Sequence, residues 1–370
     1  MKHVLALLLI PAFFLSSLPL PCRAATVEAP ALSAECAALY EASERTLLYG
    51  KNREKRHPMA STTKIMTALV AIEQMPLDEI VTIPREAVGI EGSSVYLREG
   101  DRYTLEALLY ALLLQSANDA AVAIACAVGG DVSGFAAMMN ERAAKLGLTD
   151  THFDNPHGLD SATHYTTASE LAMIACEALE HPDLYTIVST RRYIFTDVDG
   201  TASRTLINHN KMLLLYDGAV GVKTGFTKKC GRCLVSAAKR DGLLLVAVTL
   251  DAPSDWADHT KLLDMGFSTY ESRLIAAPFS LSFTVPVLNT DKTVTVQNQE
   301  EIRLVMRRDA AAPTQCLELF PLPVAPIRKG AVAGVISYQT EDGKIASSSL
   351  VFSEDLIIPK DKKGWFGLRR

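Results

Sequence analysis

The chain has no surplus of basic residues. Its 37 Lys and Arg face 42 Asp and Glu, a formal charge of −5, which makes nucleic acid an unsuitable partner. Internal repeats and low-complexity tracts are lacking, which excludes solenoid and array architectures. Only one long apolar run occurs, Val4 to Leu20, and Pro11 breaks it. With Lys2 ahead of it and the small-residue stretch Cys22-Arg23-Ala24 behind, it reads as a cleaved export signal over residues 1–24, too short for a membrane span. Pro21 before Cys22 argues against lipid attachment there. Cleavage removes Lys2 and Arg23 and no acid, so the exported chain carries −7. Cysteines are also few. Of seven, Cys22 goes with the signal, and Cys126 and Cys176 lie in apolar helical contexts that suit small buried side chains. Cys230-Gly231-Arg232-Cys233 has the spacing of a redox or zinc motif. The second cysteine opens an apolar run instead of following a helix start, and no second ligand pair exists for zinc, so neither reading is adopted.

What is present is enough apolar sequence, 48% of 370 residues, for a large core and two domains. Cys36 to Tyr40 and Leu47 to Tyr49 flank a polar turn and read as a hairpin. Leu105, Leu108, Leu109, Leu112 and Leu113 keep helical spacing after Thr104, with Glu106 completing a helix-start signal. Ala120 to Val128, Ser133 to Lys145 and Ala168 to Leu179 read as further helices, the last closed by His181-Pro182. Ala219 to Thr224, Cys233 to Ala238 and Leu243 to Leu250 read as antiparallel strands, and Ser254 to Tyr270 as a helix. From 277 to 358 the helical signals stop and short β-rich pieces recur, which predicts a small all-β domain after a catalytic domain over 25–276. Residues 359–370 form a tail with five basic residues, Trp365, Phe366 and Leu368.

Three short motifs carry the chemistry. Ser61-Thr62-Thr63-Lys64 opens a helix with Ile65, Met66, Leu69 and Ile72 on its apolar stripe, and places a hydroxyl and an amine one turn apart. A serine needs a neighbour to take its proton, and a lysine serves only if burial or a second cation lowers its pKa. Ser116-Ala117-Asn118 lies in a tight connection between two helices, and Lys223-Thr224-Gly225 on a strand. Each alone has a bland reading as a cap, a turn or a surface lysine. Their order and context together match what active-site serine penicillin-binding proteins and β-lactamases require.

With the neighbouring Ser61 to Ala68, Ser116 to Ala121, Asn155-Pro156-His157-Gly158-Leu159 and Gly221 to Gly225, residues 30 to 275 resemble the low-molecular-mass D-alanyl-D-alanine carboxypeptidases, serine peptidases of family S11 that trim peptidoglycan. The resemblance implies an α+β fold: a transpeptidase-like domain with an antiparallel sheet and a helical cluster, then the all-β domain. It implies Ser61 as nucleophile, Lys64 as base, Ser116 as proton relay, and Asn118, Lys223, Thr224 and Gly225 as substrate-binding residues. The oxyanion would be held by the backbone N–H groups of Ser61 and Phe226. The substrate would be a stem peptide ending in D-Ala-D-Ala, with β-lactams as covalent inhibitors and no metal or cofactor. His152, His157 and His164 sit in a turn-rich loop and are taken as structural, with His157 bordering the site; the polar Asn208 to Lys211 has two readings, a cleft lining and a surface turn, of which the surface turn is preferred. The tail suits weak contact with a membrane surface, and export places the protein outside the cytoplasm. Competing readings are a β-lactamase, which lacks the expected Glu-x-x-x-Asn loop between 130 and 180, a D,D-endopeptidase using the same residues, and a non-turnover β-lactam or wall sensor.

Overall fold

A computed structural model describes residues 29–357; the expected signal and tail lie outside the described residues. In chain order the elements are β1 (Cys36–Glu41), β2 (Thr46–Lys51), α1 (Lys64–Gln74, entered through a 3₁₀ turn at Ala60–Thr63), β3 (Ile80–Thr82) and β4 (Arg102–Thr104). Five helices follow, α2 (Leu105–Leu114), α3 (Asn118–Gly129), α4 (Val132–Lys145), α5 (Ala168–Glu180) and α6 (Pro182–Ser189). Then come the hairpin β5 (Arg192–Thr196) and β6 (Ser203–Ile207), the short α7 (Met212–Leu215), β7 (Ala219–Thr227), β8 (Gly231–Arg240), β9 (Leu243–Leu250) and α8 (Asp255–Thr269). The remainder is β10 (Tyr270–Ala276), β11 (Ser282–Pro286), β12 (Thr293–Asn298), β13 (Ile302–Arg307), β14 (Thr314–Leu319), β15 (Val332–Gln339) and β16 (Ile345–Phe352).

The central antiparallel sheet runs β2-β1-β9-β8-β7. It is covered on both faces, and alternation along its strands shows how. Cys36, Ala38 and Tyr40 of β1, with Val246 and Val248 of β9, pack into the cluster formed by α1, α2, α3 and α5. The intervening Ala37, Leu39, Leu245 and Ala247 pack against Leu262, Leu263 and Phe267 of α8. Strands buried on both sides explain the near-continuous apolar runs in the sequence. Thr104 caps α2 by accepting from the Ala107 N–H, as its position predicts.

Two features differ from the sequence reading. His181-Pro182 closes α5 but also opens α6, because Pro at the first helical position gives up an N–H that would have no partner there. The segment just before position 277, β10, pairs with β13. The strand ladder toward the C-terminal sheet (β11-β12-β16-β15-β14) therefore begins at Tyr270, directly at the end of α8.

β7 has one neighbour, β8, and so lies at a sheet edge. Its free side runs past the 3₁₀ turn at the start of α1. Gly225 makes this approach possible: a Cβ there would stand 3.1 Å from the Met59 carbonyl oxygen and 3.2 Å from the Ser61 backbone nitrogen. The resemblance implies Gly225 as a substrate-binding residue; the fold adds that it lets the strand lie against the turn carrying Ser61.

Candidate active site

The turn ahead of α1 is held in an unusual shape. Ala60 has φ +46°, a conformation disfavoured for a residue with a Cβ, so its neighbours must fix it. Thr62 Oγ1 donates to the Met59 carbonyl at 2.6 Å, and Thr63 Oγ1 donates to the Ala60 carbonyl at 2.8 Å. Behind Thr63 stands His164. Its Nδ1 accepts from the Asp154 N–H at 3.0 Å, so the ring proton is on Nε2, which donates to Thr63 Oγ1 at 2.7 Å. Burial pushes the His164 pKa down to about 4, which keeps this tautomer neutral. No sequence pattern signals this link, because the two residues stand 101 positions apart.

Lys64 is wholly buried among the residues of α1. Its Nζ lies 2.9 Å from Ser61 Oγ, 2.7 Å from Asn118 Oδ1 and 2.5 Å from the His157 carbonyl oxygen. Two of these partners can only accept. A neutral amine has two hydrogens, and Asn118 and His157 take both. The lone pair is then left for the Ser61 hydroxyl. Burial first, and the positive charge of Lys223 second, hold the Lys64 pKa well below its usual value, with Asp119 opposing. The sequence reading had given burial and the second cation equal standing; burial leads. Each unit of such a shift corresponds to about 1.4 kcal/mol between the charged and neutral forms.

Asn118 is fixed in turn by donating to the Glu91 carbonyl at 2.6 Å. Its neighbour Asp119, buried, accepts from the backbone N–H groups of Val95 and Leu97 at 3.1 and 3.0 Å and from Ser94 Oγ at 2.5 Å. Asp119 thereby anchors the loop that supplies Ser93 to the cleft. Ser116 has φ +61° in the α2–α3 connection, and its hydroxyl makes no side-chain hydrogen bond among the described residues.

Lys223 on β7 is also buried. Its Nζ donates to the Thr224 carbonyl at 3.0 Å, and burial brings its pKa down to about 7. Ser61, Ser116, Thr224, Gly225 and Phe226 line one open cleft of about 650 Å³. Asn208, His209 and Lys211 line it too, which corrects the surface-turn reading of that segment. Arg232, paired in register with Phe226, lines the cleft as well, and its Nη2 stands 2.9 Å from an Asp255 carboxylate oxygen. The expected oxyanion donors are thus on two adjoining walls. Of the three loop histidines, His157 contributes a carbonyl to Lys64, His164 braces the turn, and His152 bonds the Thr163 carbonyl away from Lys64.

A pH dependence follows from the two lysines. A base at Lys64 works in its neutral form, so kcat/KM rises as pH passes upward through its lowered pKa. The positive charge of Lys223, expected from the resemblance to bind the substrate carboxylate, is lost as pH passes about 7. The expected profile is a bell with its alkaline limb near neutrality. Lys223→Met should abolish that limb and move the acid limb to higher pH, because the second cation no longer disfavours a charged Lys64. A steady-state profile of both proteins checks this; an unmoved acid limb counts against the coupling.

A serine hydroxyl facing the lone pair of a buried lysine, beside a free sheet edge, defines a serine acyl-transfer enzyme of the penicillin-binding type. Comparison with known proteins narrows the class. Residues 23–254 match the family model described as D-alanyl-D-alanine carboxypeptidase, peptidase S11. D-alanyl-D-alanine carboxypeptidase DacF of Bacillus subtilis is 30% identical over 335 residues, covering 87% of this chain and 86% of that protein. The D-alanyl-D-alanine carboxypeptidase of Streptomyces sp. strain K15 is 38% identical over 242 residues, covering 60% of this chain and 83% of that one. Among solved structures, penicillin binding protein 5 from Haemophilus influenzae superposes with a TM-score of 0.68 at 26% identity, covering 89% of this chain and 99% of that chain. The chain belongs to the D-alanyl-D-alanine carboxypeptidase family.

Proposed function

We propose that Ser61 is acylated by the penultimate D-alanine of a peptidoglycan stem peptide, releasing the terminal D-alanine, and that water then frees the enzyme. The contact of Ser61 Oγ with Lys64 Nζ carries this reading, since the amine's other two partners leave its lone pair to the serine. As Ser61 attacks, Lys64 takes its proton. The backbone N–H groups of Ser61 and Phe226 stabilise the developing oxyanion. Ser116 passes the proton to the leaving amine, its hydroxyl being free of other side-chain partners among the described residues. Lys223 and the Thr224 hydroxyl hold the substrate carboxylate, while the peptide lies along the edge of β7 as an added strand. Asn118 orients Lys64 and the substrate amide. β-Lactams acylate Ser61 by the same route, with the ring carbonyl in place of the scissile amide.

The reading extends to place. The sequence of residues 1–24 supports export to the cell wall or periplasm, and the basic, aromatic residues 359–370 support weak contact with the outer face of the cytoplasmic membrane. Peptidoglycan remodelling, with an effect on cell shape, is the role that goes with this location.

The test uses purified protein beginning at Ala25 and the peptide diacyl-Lys-D-Ala-D-Ala. Release of the terminal D-alanine, with no L-alanine released from the D-Ala-L-Ala isomer, is the expected result. A stable penicillin adduct without any release would overturn the hydrolytic reading and leave a sensor.

A further inference from the structure

Beside the active site, the turn between β7 and β8 holds two sulfur atoms that the mechanism does not use. Thr227 pairs with Gly231, so Lys228, Lys229 and Cys230 form the hairpin loop and Cys233 lies three residues further, on β8 opposite Gly225. Cys230 Sγ and Cys233 Sγ are 3.9 Å apart, and both are buried. The sequence reading set this pair aside because no helix follows the first cysteine. The fold supplies a different reason for their meeting. Gly231, at φ +66°, turns the chain sharply, and a Cβ there would stand 2.1 Å from Asp251 Oδ1. The reversal brings side chains at positions 230 and 233 to the same side.

We propose that Cys230 and Cys233 are a dithiol–disulfide pair that closes an intrachain bond at the foot of the substrate-binding hairpin. This goes beyond the hydrolytic function and does not depend on it. The oxidant is a disulfide, either a small molecule or the active disulfide of an exchange protein. Cys230, as thiolate, attacks one sulfur of it, forms a mixed disulfide and expels the first thiolate. Cys233 then loses its proton, attacks Cys230 Sγ and expels the second thiolate. Two protons and two electrons pass from the pair to the oxidant, which ends as two thiols. The surroundings favour this order. The neighbouring Cys233 thiol holds the Cys230 pKa below the usual thiol value, whereas that of Cys233 is raised.

The bond would close a ring over Cys230, Gly231, Arg232 and Cys233. Arg232 is the residue that reaches into the cleft rim and pairs with Asp255. Thr227, at the other end of the turn, donates to Asp160 at 3.1 Å in the loop after His157. Closure therefore fixes the rim where the substrate strand leaves the site.

The sequence provides a direct test, because trypsin cuts after Lys229, Arg232 and Lys239. The full chain is reduced, freed of reductant and exposed to oxidised glutathione, then alkylated and digested. The expected product is residues 230–232 joined to residues 233–239, about two mass units below the sum of the thiol forms. Reduction separates them. Cys230→Ser should yield no joined peptide, retain D-alanine release and lose the rise of a few degrees in thermal midpoint expected on oxidation. Cys316, exposed on β14, reports that the oxidant is active. Because both sulfurs are buried, a second arm oxidises the protein during refolding from denaturant. If Cys316 is modified while Cys230 and Cys233 are recovered as alkylated thiols in both arms, the proposal is wrong. Recovery only as glutathione adducts overturns it equally.

Discussion

Ser61→Ala leaves a folded protein that neither releases D-alanine nor retains a β-lactam adduct. The expected loss in kcat/KM is roughly 10⁴-fold or more, the scale seen when a nucleophile is removed from a unit that acts together. Ser61 does little else: it is half-buried, and among the described residues its one side-chain hydrogen bond is to Lys64. Removing its hydroxyl leaves Lys64 with Asn118 and the His157 carbonyl, so no buried atom is orphaned. A stability change within about 1 kcal/mol is expected. Thermal unfolding and intact-protein mass after penicillin treatment separate the two effects. Covalent label on the alanine variant would mean another residue is the nucleophile. Loss of fold would mean the hydroxyl has a structural role that its contacts do not reveal.

Gly158→Ala carries the next largest effect, by a different route. Gly158 has φ +89°, and a Cβ on it would stand 1.9 Å from the Ala60 carbonyl oxygen and 2.9 Å from Thr63 Oγ1. Both atoms belong to the brace that holds the turn before Ser61. The backbone conformation alone costs about 1–3 kcal/mol for a residue with a Cβ. The clash comes on top, because a backbone carbonyl, unlike the end of a flexible side chain, has little freedom to yield. We expect a loss of about 2–4 kcal/mol in stability, read as a drop of roughly 5–15 °C in thermal midpoint. Acylation by a β-lactam should slow at least about 10²-fold, since a shift near 1 Å in a reacting group has that consequence. Acylation at the native rate would show that the loop moves away without disturbing Ser61. The brace would then not set the nucleophile's position.

These two positions show what could be read in advance. The meeting of Ser61 and Lys64 was legible because three residues along one turn already implies contact, and Lys223 was legible through its motif on a strand. The helices α2 and α5 were legible from cap and period, each within a residue or two of the observed ends. Gly158 was visible as part of a motif that carries the family resemblance, with no sign of what its missing side chain is for. Its necessity lies in the Ala60 carbonyl, nearly a hundred residues earlier. His164 and Asp119 escaped for the same reason: each matters through a partner chosen by tertiary packing. Asn208 to Lys211 is polar whether it faces solvent or a cleft, so composition could not decide. β10 and β14 were missed because an exposed or weakly alternating strand leaves no strong pattern; all six residues of β14 are exposed.

The order of the central sheet bears on how the enzyme is made. β1 pairs with β9 through Cys36↔Leu250, and Ser33 bonds the side chain of Asp258, 225 positions downstream. The β1–β2 hairpin can form early, but its inner edge stays unpaired until β9, about two thirds of the way along the chain, has emerged. Synthesis at about 5–20 residues per second leaves that edge open for ten seconds or more. Such an edge is a template for wrong pairing. The catalytic unit is therefore a late folder, dependent on being kept unpaired until Leu250 arrives, and its vulnerable moment falls during biogenesis, before the active site exists.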